Sequence, residues 1–336
     1  MILSILSKKS VRKEELKVAK SFVFEEMERA QSKLSVAVYA PSGAGKTTAA
    51  LKIAMGIRDQ LYPGEDLKQI GLFIDTERRS STKAVGRRVG GETLEPMELY
   101  AFEPPYDVTV LADLLTFAAN RGKKIVVIDS YTAFWSGCQG ILEEVADLEV
   151  QLGDSKKAYG AWSERTIINK KNILKNLMSS SQMHLIVCFR AKTEYVMELN
   201  YKGKMQPRAV GLKEDTQTDV RYEFDAVLSI DKESHGIEIV KDRIGFEEYR
   251  MTSSNPEAPL TVEDGRVLAK IVSEGLTLAE LAERKRARSI NFILDEKRHK
   301  SSKVAQFEQA KGIEITKEYL ETLTEDNLKS LTKFLT

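Results

Sequence analysis

The sequence predicts an α/β fold in which a mostly parallel sheet is flanked by helices, with an antiparallel edge hairpin and a small helical C-terminal region. Short apolar runs rich in β-branched residues alternate with stretches of helical periodicity, which is typical of crossover units in a sheet covered on both faces. Two strand-like runs then follow each other closely near residue 230. Beyond residue 260 only helical periodicity is visible.

The elements are predicted from hydrophobic periodicity, in chain order. An amphipathic helix is expected over residues 11–30. Buried strands are predicted at 34–40, 70–74, 125–128 and 184–189, and helices at 49–58, 110–120 and 165–178. The runs 222–230 and 236–240, joined by a polar segment, predict the antiparallel hairpin.

A turn-rich stretch at residues 253–259 marks a candidate domain boundary. The predicted organisation is therefore an N-terminal helix (1–30), a core domain (31–252) and a helical C-terminal region (253–336). In that last region Thr277 and Glu280 form a capping-box pattern. A final helix is expected to be lined by Leu328, Leu331 and Leu335.

Charge and cysteine content narrow the classes of function. Lys and Arg number 51 and Asp and Glu 50, so the net charge of +1 provides no global attraction to nucleic acid or membrane. Cys138 and Cys188 support no disulfide framework, and neither a secretion signal nor a membrane-spanning run is visible. We therefore expect a cytoplasmic location, in the host cytoplasm if the protein is viral. His184, His235 and His299 lack ligand spacing and are predicted to be structural or solvated.

Residues 40–47 (APSGAGKT) fit the P-loop pattern, with Ala40 where the first glycine usually stands. They follow a predicted strand and open a predicted helix, which is the context that the motif requires. Small residues let backbone N–H groups approach phosphate oxygens, while Lys46 is expected to reach the outer phosphates and Thr47 to bind magnesium. The sequence therefore predicts ATP and Mg²⁺ as cofactors. The predicted nucleotide-binding residues are Pro41, Ser42, Gly43, Ala44, Gly45, Lys46, Thr47 and Thr48.

Two acidic residues at strand ends complete the predicted hydrolytic site. Asp129 ends the strand in KKIVVIDS and is expected to hold magnesium beside Thr47 through a bound water. Glu77 follows the strand in GLFIDTER and is placed to meet the attacking water. On these motifs the sequence resembles the RecA-like ATPases over about residues 31–250. That resemblance implies a catalytic role for Glu77 and a magnesium strand that continues as Asp129-Ser130.

The resemblance also implies three catalytic cations. Arg190, in HLIVCFRAK, stands where a phosphate-sensing glutamine is frequent, and it either contacts phosphate or pairs with an acidic neighbour. Lys241 and Arg243 resemble the lysine-x-arginine motif that ring and filament members insert into a neighbour's site, with a solvated basic turn as the alternative. A homo-oligomer, ring or filament, is implied. With Pro207-Arg208 and RYEFDAVLSID, these segments look most like bacteriophage AAA-type RecA-like ATPases, some of which anneal or pair single-stranded DNA.

Single-stranded DNA is the predicted partner. Between residues 156 and 213 stand twelve Lys or Arg residues against three glutamates, a local surplus in a neutral chain. The stretch after Arg190 is expected to be a mobile loop in which aromatic residues and cations interleave. The candidate DNA-binding residues are Lys192, Tyr195, Tyr201, Lys202, Lys204 and Arg208. A second basic cluster, at residues 284–288 and 297–303, is interpreted first as a solvated helix surface.

The sequence-based interpretation is an oligomeric, magnesium-dependent ATPase that couples hydrolysis to assembly on single-stranded DNA in recombination, annealing or replication. One alternative is a RecA-like ATPase that acts on a protein partner through the helical C-terminal region. The other is a P-loop small-molecule kinase, for which Arg78, Arg79, Arg87 and Arg88 would have to form the lid.

Overall fold

The computed structural model describes residues 27–152, 158–179, 182–199, 205–299 and 301–335. Two compact units are present. The first, the core unit, comprises Gln31–Glu274, and the second contains Gly275–Thr336 together with the chain up to Ala30. Most of the predicted N-terminal helix lies outside the described residues. Residues 27–30 are not helical, and Ala30 instead forms an isolated parallel bridge with Leu276.

The core unit contains ten strands and nine helices within the described residues, together with short 3-10 segments. The strands are β1 (Ser35–Ala40), β2 (Gly71–Asp75), β3 (Arg88–Val89), β4 (Glu92–Thr93), β5 (Glu98–Ala101), β6 (Ile125–Asp129), β7 (His184–Leu199), β8 (Met205–Glu214), β9 (Ala226–Ile230) and β10 (Ile237–Asp242). The helices are α1 (Lys46–Leu61), α2 (Leu67–Ile70), α3 (Val108–Asn120), α4 (Thr132–Ser136), α5 (Ile141–Leu152), α6 (Ala158–Ser163), α7 (Arg165–Ser179), α8 (Phe246–Met251) and α9 (Val262–Ser273).

The central sheet has the order β10-β9-β1-β7-β6-β2-β5, and all its neighbours are parallel except the edge pair β9 and β10. The predicted fold class is therefore confirmed, with all four predicted parallel strands and the edge hairpin. β5 was not predicted because its sequence, ELYA, is short and half exposed and has no apolar run. β3 and β4 form a separate two-stranded hairpin.

The core lies on both faces of the sheet, because successive residues of a strand point to opposite sides. Val36 and Val38 of β1 belong to the cluster that α1 and α9 cover. Ala37 and Tyr39 belong to the opposite cluster, which α3, α5 and α7 cover. This burial on both faces explains why the parallel strands have continuous apolar sequences.

Helix α9 packs directly on α1 through two glycines. A Cβ atom at Gly56 would lie 2.3 Å from the carbonyl oxygen of Val262, and one at Gly265 would lie 2.7 Å from that of Ile53. This close approach of the two backbones places α9 inside the core unit. The turn-rich stretch at 253–259 consequently lies within the core unit, and the unit boundary falls after Glu274.

The expectation of a mobile loop after Arg190 was wrong. β7 continues from the sheet to Leu199 and pairs with β8 as an antiparallel ribbon, from Ala191 opposite Glu214 to Leu199 opposite Met205. Polar and apolar residues mix along this segment because the ribbon leaves the sheet, so no buried periodicity marks it as a strand. The predicted strand start at residue 222 was also too early, since Thr218–Glu223 is a 3-10 segment.

The described part of the second unit contains four helices, α10 (Leu278–Arg298), α11 (Ser302–Lys311), α12 (Lys317–Thr322) and α13 (Glu325–Leu335), packed around one apolar cluster. The predicted capping box is confirmed, since the Thr277 hydroxyl accepts the N–H of Glu280 and the Glu280 carboxylate accepts the N–H of Thr277. The leucines expected to line the final helix are buried. Within the described ranges no helix is long and apolar enough to cross a bilayer.

Candidate active site

The carboxyl ends of four neighbouring strands bring the predicted site residues together. In the sheet register Asp75 of β2 lies beside Asp129 of β6, and Asp129 lies beside Cys188 of β7. Arg190 of β7 lies beside Ala40 of β1, where the P-loop begins. Ligands of parallel α/β sheets bind at this edge, so residues far apart in the chain meet in one cleft.

The P-loop joins β1 to α1 with two glycines in left-handed backbone conformations. Gly43 has a φ of 83° and Gly45 a φ of 98°, values that other residues rarely adopt. Gly45 precedes the first helical residue and provides no side-chain cap for the N–H groups of the first turn. Those N–H groups and the positive end of the helix dipole form an anion site.

Lys46 is buried at the base of this loop. Its Nζ donates hydrogen bonds to the carbonyl oxygens of Ala40 and Pro41, each at 3.1 Å. Both oxygens belong to the chain that leads into the loop, so the ammonium group lies where the phosphates of a bound nucleotide would be.

Thr47 and Asp129 meet as predicted for a magnesium site. The Thr47 hydroxyl donates to Asp129 Oδ2 at 2.5 Å, while the buried Oδ1 accepts no hydrogen bond from any described residue. Burial, assisted by the neighbouring carboxylate of Glu77, raises the pKa of Asp129 to about 6. A buried carboxylate oxygen without a donor, beside a hydroxyl, fits the hard oxygen ligands that Mg²⁺ prefers.

Glu77 is positioned by Asp75, a residue to which the sequence analysis gave no role. The Asp75 carboxylate is buried and accepts hydrogen bonds from the backbone N–H groups of Glu77, Arg79 and Ser81 and from the Ser81 hydroxyl. These bonds hold Arg78 and Arg79 in left-handed conformations at φ of 55° and 60°. The tight turn places Glu77 close enough to Asp129 to influence its pKa.

Arg190 pairs with an acidic neighbour, which is one of the two roles left open by the sequence, and that neighbour is Glu77. Arg190 Nε lies 3.1 Å from Glu77 Oε1, and the guanidinium is largely exposed. The backbone N–H of Arg190 donates to the Thr132 hydroxyl at 3.0 Å, which anchors the strand beneath it. The predicted phosphate sensor and the predicted catalytic carboxylate therefore share an ion pair at the mouth of the cleft.

Lys241 and Arg243, the two cations of the lysine-x-arginine motif at the end of β10, differ in their surroundings. Lys241 donates to the carbonyl oxygens of Arg221, Tyr222 and Phe224 at 2.6–2.9 Å. Burial and the nearby Arg243 lower the pKa of Lys241 to about 8. Arg243 is exposed, and its guanidinium forms no ion pair with a described residue. Of the two cations, Arg243 is therefore the more accessible to a ligand.

Three of the candidate DNA-binding residues, Lys192, Tyr195 and Arg208, lie in the described part of the β7–β8 ribbon. Lys192 is described, and its Nζ donates to Asp215 at 2.7 Å. Tyr195 pairs with Ala209, and Arg208 pairs with Val196, in the strand register. Tyr201, Lys202 and Lys204 lie outside the described residues.

The second basic cluster is occupied by ion pairs in the helical unit. Arg284 and Arg288 both pair with Glu28. Lys297 pairs with Glu308 at 3.2 Å and with Glu314 at 2.9 Å. These pairs agree with the interpretation of the cluster as a helix surface.

One contact to the P-loop was missed by the sequence analysis. His235, expected to be structural or solvated, lies in the β9–β10 turn with a φ of 55°, and its Nδ1 donates to the carbonyl oxygen of Ala44 at 3.1 Å. Asp231 holds this turn by accepting the N–H groups of Glu233 and Ser234. Only a polar turn between two strands marks the site in the sequence, which does not indicate what the turn contacts.

Comparison with known proteins gives one family match. Residues 32–258, about two thirds of the chain, match the family model described as AAA domain. The match covers the whole central sheet and agrees with a RecA-like P-loop α/β fold. No curated protein matches the chain.

Proposed function

The chain belongs to the AAA domain family, and from that premise we propose that it is a magnesium-dependent ATPase that works as an oligomer on single-stranded DNA. The observation that carries the hydrolytic part is the Thr47–Asp129 pair, whose buried Asp129 Oδ1 accepts no hydrogen bond from a described residue. Leaving a buried oxygen without a donor destabilises the folded state unless a ligand uses it. A magnesium–nucleotide complex beside Lys46 is the ligand that this arrangement suits.

Each side chain has a defined task in the proposed reaction. Lys46 binds the outer phosphates, and Thr47 and Asp129 hold the metal, which when bound neutralises charge on the phosphate oxygens. Glu77, held in place by Asp75, orients the attacking water and takes up its proton through a carboxylate oxygen. Phosphate oxygens would compete with Glu77 for the Arg190 guanidinium, which would free the Glu77 carboxylate for the water.

A neighbouring subunit completes the site in this proposal. Arg243 is exposed at the end of β10 and is the cation that we assign to the adjacent protomer's phosphates. Lys241 has a supporting role, since its three carbonyl partners fix the 218–224 segment beneath the turn. An arginine supplied in trans contributes about 10³-fold or more to turnover in other nucleotide hydrolases.

The β7–β8 ribbon provides a route from DNA to the cleft. Arg190 stands in β7 at the point where the strand leaves the sheet, and Lys192 follows it on the ribbon. A strand is stiff along its length, so DNA bound to the ribbon would bias the position of Arg190 and with it the Arg190–Glu77 pair. This coupling supports recombination, annealing or replication as the process served.

The test is ATP turnover by the full chain, with and without single-stranded DNA at several salt concentrations. We expect Lys46→Ala to abolish turnover and Lys68→Ala, which changes an exposed lysine outside the cleft, to leave it unchanged. Stimulation by DNA that weakens as salt rises would support the proposed partner. Turnover that is indifferent to DNA would favour a protein partner, and a phosphorylated small-molecule product would indicate a kinase.

A further inference from the structure

A cavity of about 380 Å³ opens beside the P-loop, and neither Thr47 nor Asp129 lines it. Its walls come from the P-loop and the start of α1, the β3–β4 hairpin, the β9–β10 turn and the segment before α9. Apolar residues dominate these walls, with Val89, Ile230, Pro259 and Leu260 among them. The volume lies in the range of roughly 300–1,000 Å³ that is typical of small-ligand sites, as does the mostly apolar lining.

The position of this cavity fits the nucleoside part of a nucleotide whose phosphates occupy the P-loop. Thr47 and Thr48 are successive residues of α1, so their side chains point about 100° apart around the helix. Thr47 contacts Asp129, whereas Thr48 lines the cavity together with Gly43 and Gly45. A ligand that extends from the phosphate loop away from the metal side therefore enters this space.

An ion pair adjoins the cavity through Lys52, which lines it, while its partner Glu92 is partly exposed. Lys52 lies one helical turn after Thr48, and only 4% of its side chain is exposed. Its Nζ lies 3.2 Å from Glu92 Oε2 and donates to the carbonyl oxygen of Leu260 at 3.0 Å. Glu92 Oε1 in turn accepts the N–H of Val262 at 2.9 Å. One charged pair thus joins α1 to two walls of the cavity.

Burial of the Lys52 ammonium destabilises the folded state unless its partners compensate, and those partners belong to the hairpin and to the segment before α9. The β3–β4 hairpin has only two residues in each strand and cannot hold its own position. Gly90, at its turn, lies so close that a Cβ there would be 3.2 Å from Lys52 Nζ. The pair fixes a short hairpin and an irregular segment that would otherwise move independently.

We propose that the Lys52–Glu92 pair is a positioning element for the nucleoside: it fixes the β3–β4 hairpin and the Pro259–Leu260 segment as the walls that receive the base of ATP. The inference rests on the proposed function for the identity of the nucleotide. His235 closes the cavity from the β9–β10 turn, where its contact with Ala44 joins the base side to the phosphate side. Pre-formed walls reduce the ordering that a bound base would otherwise require.

The experiment compares the affinities of the full chain for Mg²⁺–ATP and for Mg²⁺–tripolyphosphate, which shares the phosphates and lacks the nucleoside. We expect Lys52→Met to raise the Kd for ATP about tenfold, equivalent to about 1.4 kcal/mol, and to leave the Kd for tripolyphosphate within about twofold. Glu92→Gln removes the ion pair while its remaining carbonyl oxygen can still accept the N–H of Val262. It should have the same selective effect and serves if Lys52→Met does not fold.

Lys123→Met is the matched control. Lys123 is also a buried lysine with carbonyl partners, at Lys68, Gln69 and Gly71, and with one glutamate, Glu98 at 2.6 Å, but it lies away from the cavity. It should weaken the fold without changing the ratio of the two Kd values. Equal weakening of ATP and tripolyphosphate, or the same loss of selectivity in Lys123→Met, would overturn the inference.

These outcomes are separate from those that test the proposed function. A wild-type chain that binds ATP more tightly than tripolyphosphate but releases no phosphate would refute hydrolysis and leave the positioning role intact. Equal wild-type affinities for the two ligands would refute the positioning role and leave hydrolysis untouched.

Discussion

Asp129→Asn should stabilise the metal-free protein at neutral pH while abolishing its activity. Burial raises the pKa of Asp129 from 3.8 to about 6. Between these two pH values the folded state holds a proton on Asp129 that the unfolded chain has released. Asp129 therefore does not lower the free energy of unfolding below pH 4, and it lowers it progressively as the pH rises towards 6. At 1.36 kcal/mol for each pH unit between the two values, the loss at pH 7.5 amounts to about 3 kcal/mol.

Asparagine removes the charge with nearly the same shape, and its carbonyl oxygen can still accept the Thr47 hydroxyl. We expect a gain of up to about 3 kcal/mol in the unfolding free energy at pH 7.5, shrinking towards zero near pH 4. The assay is denaturant unfolding in EDTA, followed by tryptophan fluorescence. Trp135 and Trp162, the two tryptophans of the chain, both lie in the core unit and report on that unit.

The control is Asp75→Asn, the same substitution at the neighbouring strand end. The Asp75 carboxylate accepts four hydrogen bonds, and an amide NH₂ cannot replace both oxygens as acceptors. That variant should lose about 1–3 kcal/mol, the penalty for an unsatisfied buried donor. A loss of stability in Asp129→Asn, or a gain that is equal at pH 4 and pH 7.5, would refute the assignment of Asp129 as an uncompensated buried carboxylate.

Four further substitutions test other parts of the structure. Glu77→Gln should lower kcat by about 10²-fold or more with an unchanged Kd for ATP, because the water loses its base; equal loss of binding would contradict that role. Arg243→Ala should lower turnover by about 10³-fold without affecting stability. Lys241→Met should instead lower the denaturation midpoint, because it removes hydrogen bonds to three carbonyl oxygens. The opposite pattern would exchange the two roles. Burial lowers the pKa of His184 to about 3, so the stability that its neutral form contributes is present above pH 6.5 and is lost as the pH falls towards 3. The unfolding free energy of His184→Gln should therefore fall less than that of the wild type between pH 6.5 and pH 3.

The sequence was sufficient to predict the P-loop and the parallel strands other than the edge strand β5, because these depend on local patterns. A strand buried on both faces has a continuous apolar sequence, and the glycines at Gly43 and Gly45 occupy positions where other residues are disfavoured. The β7–β8 ribbon could not be predicted in the same way. Its backbone hydrogen bonds are made with the partner strand, and the residues show no period of two in hydrophobicity that would mark them as a strand.

The supporting residues of the site were missed for a different reason. Lys52 and His235 contact backbone groups that are distant in the chain, whereas Asp75 accepts backbone N–H groups of the turn that follows it. In each case the partner is a backbone group, which leaves no trace in the residue type. Nothing in the sequence distinguishes Glu92 and Lys52 from other acidic and basic residues, because only the fold brings them together. The sequence therefore predicts which residues would touch a nucleotide better than it predicts which residues hold them in place.

Unsatisfied and strained groups of the core unit occur where the reaction is proposed to take place. Asp129 has a buried oxygen without a described donor, and Arg78 and Arg79 are held in left-handed conformations by Asp75. Each feature destabilises the fold by itself, and sites of ligand binding are where such strain persists. The Arg190–Glu77 pair lies at the same site. It neutralises an exposed cation and a half-buried carboxylate until phosphate competes for the guanidinium. Nucleotide binding would then satisfy Asp129 and release Glu77 in one event, so the energy of binding is used to prepare the attacking water.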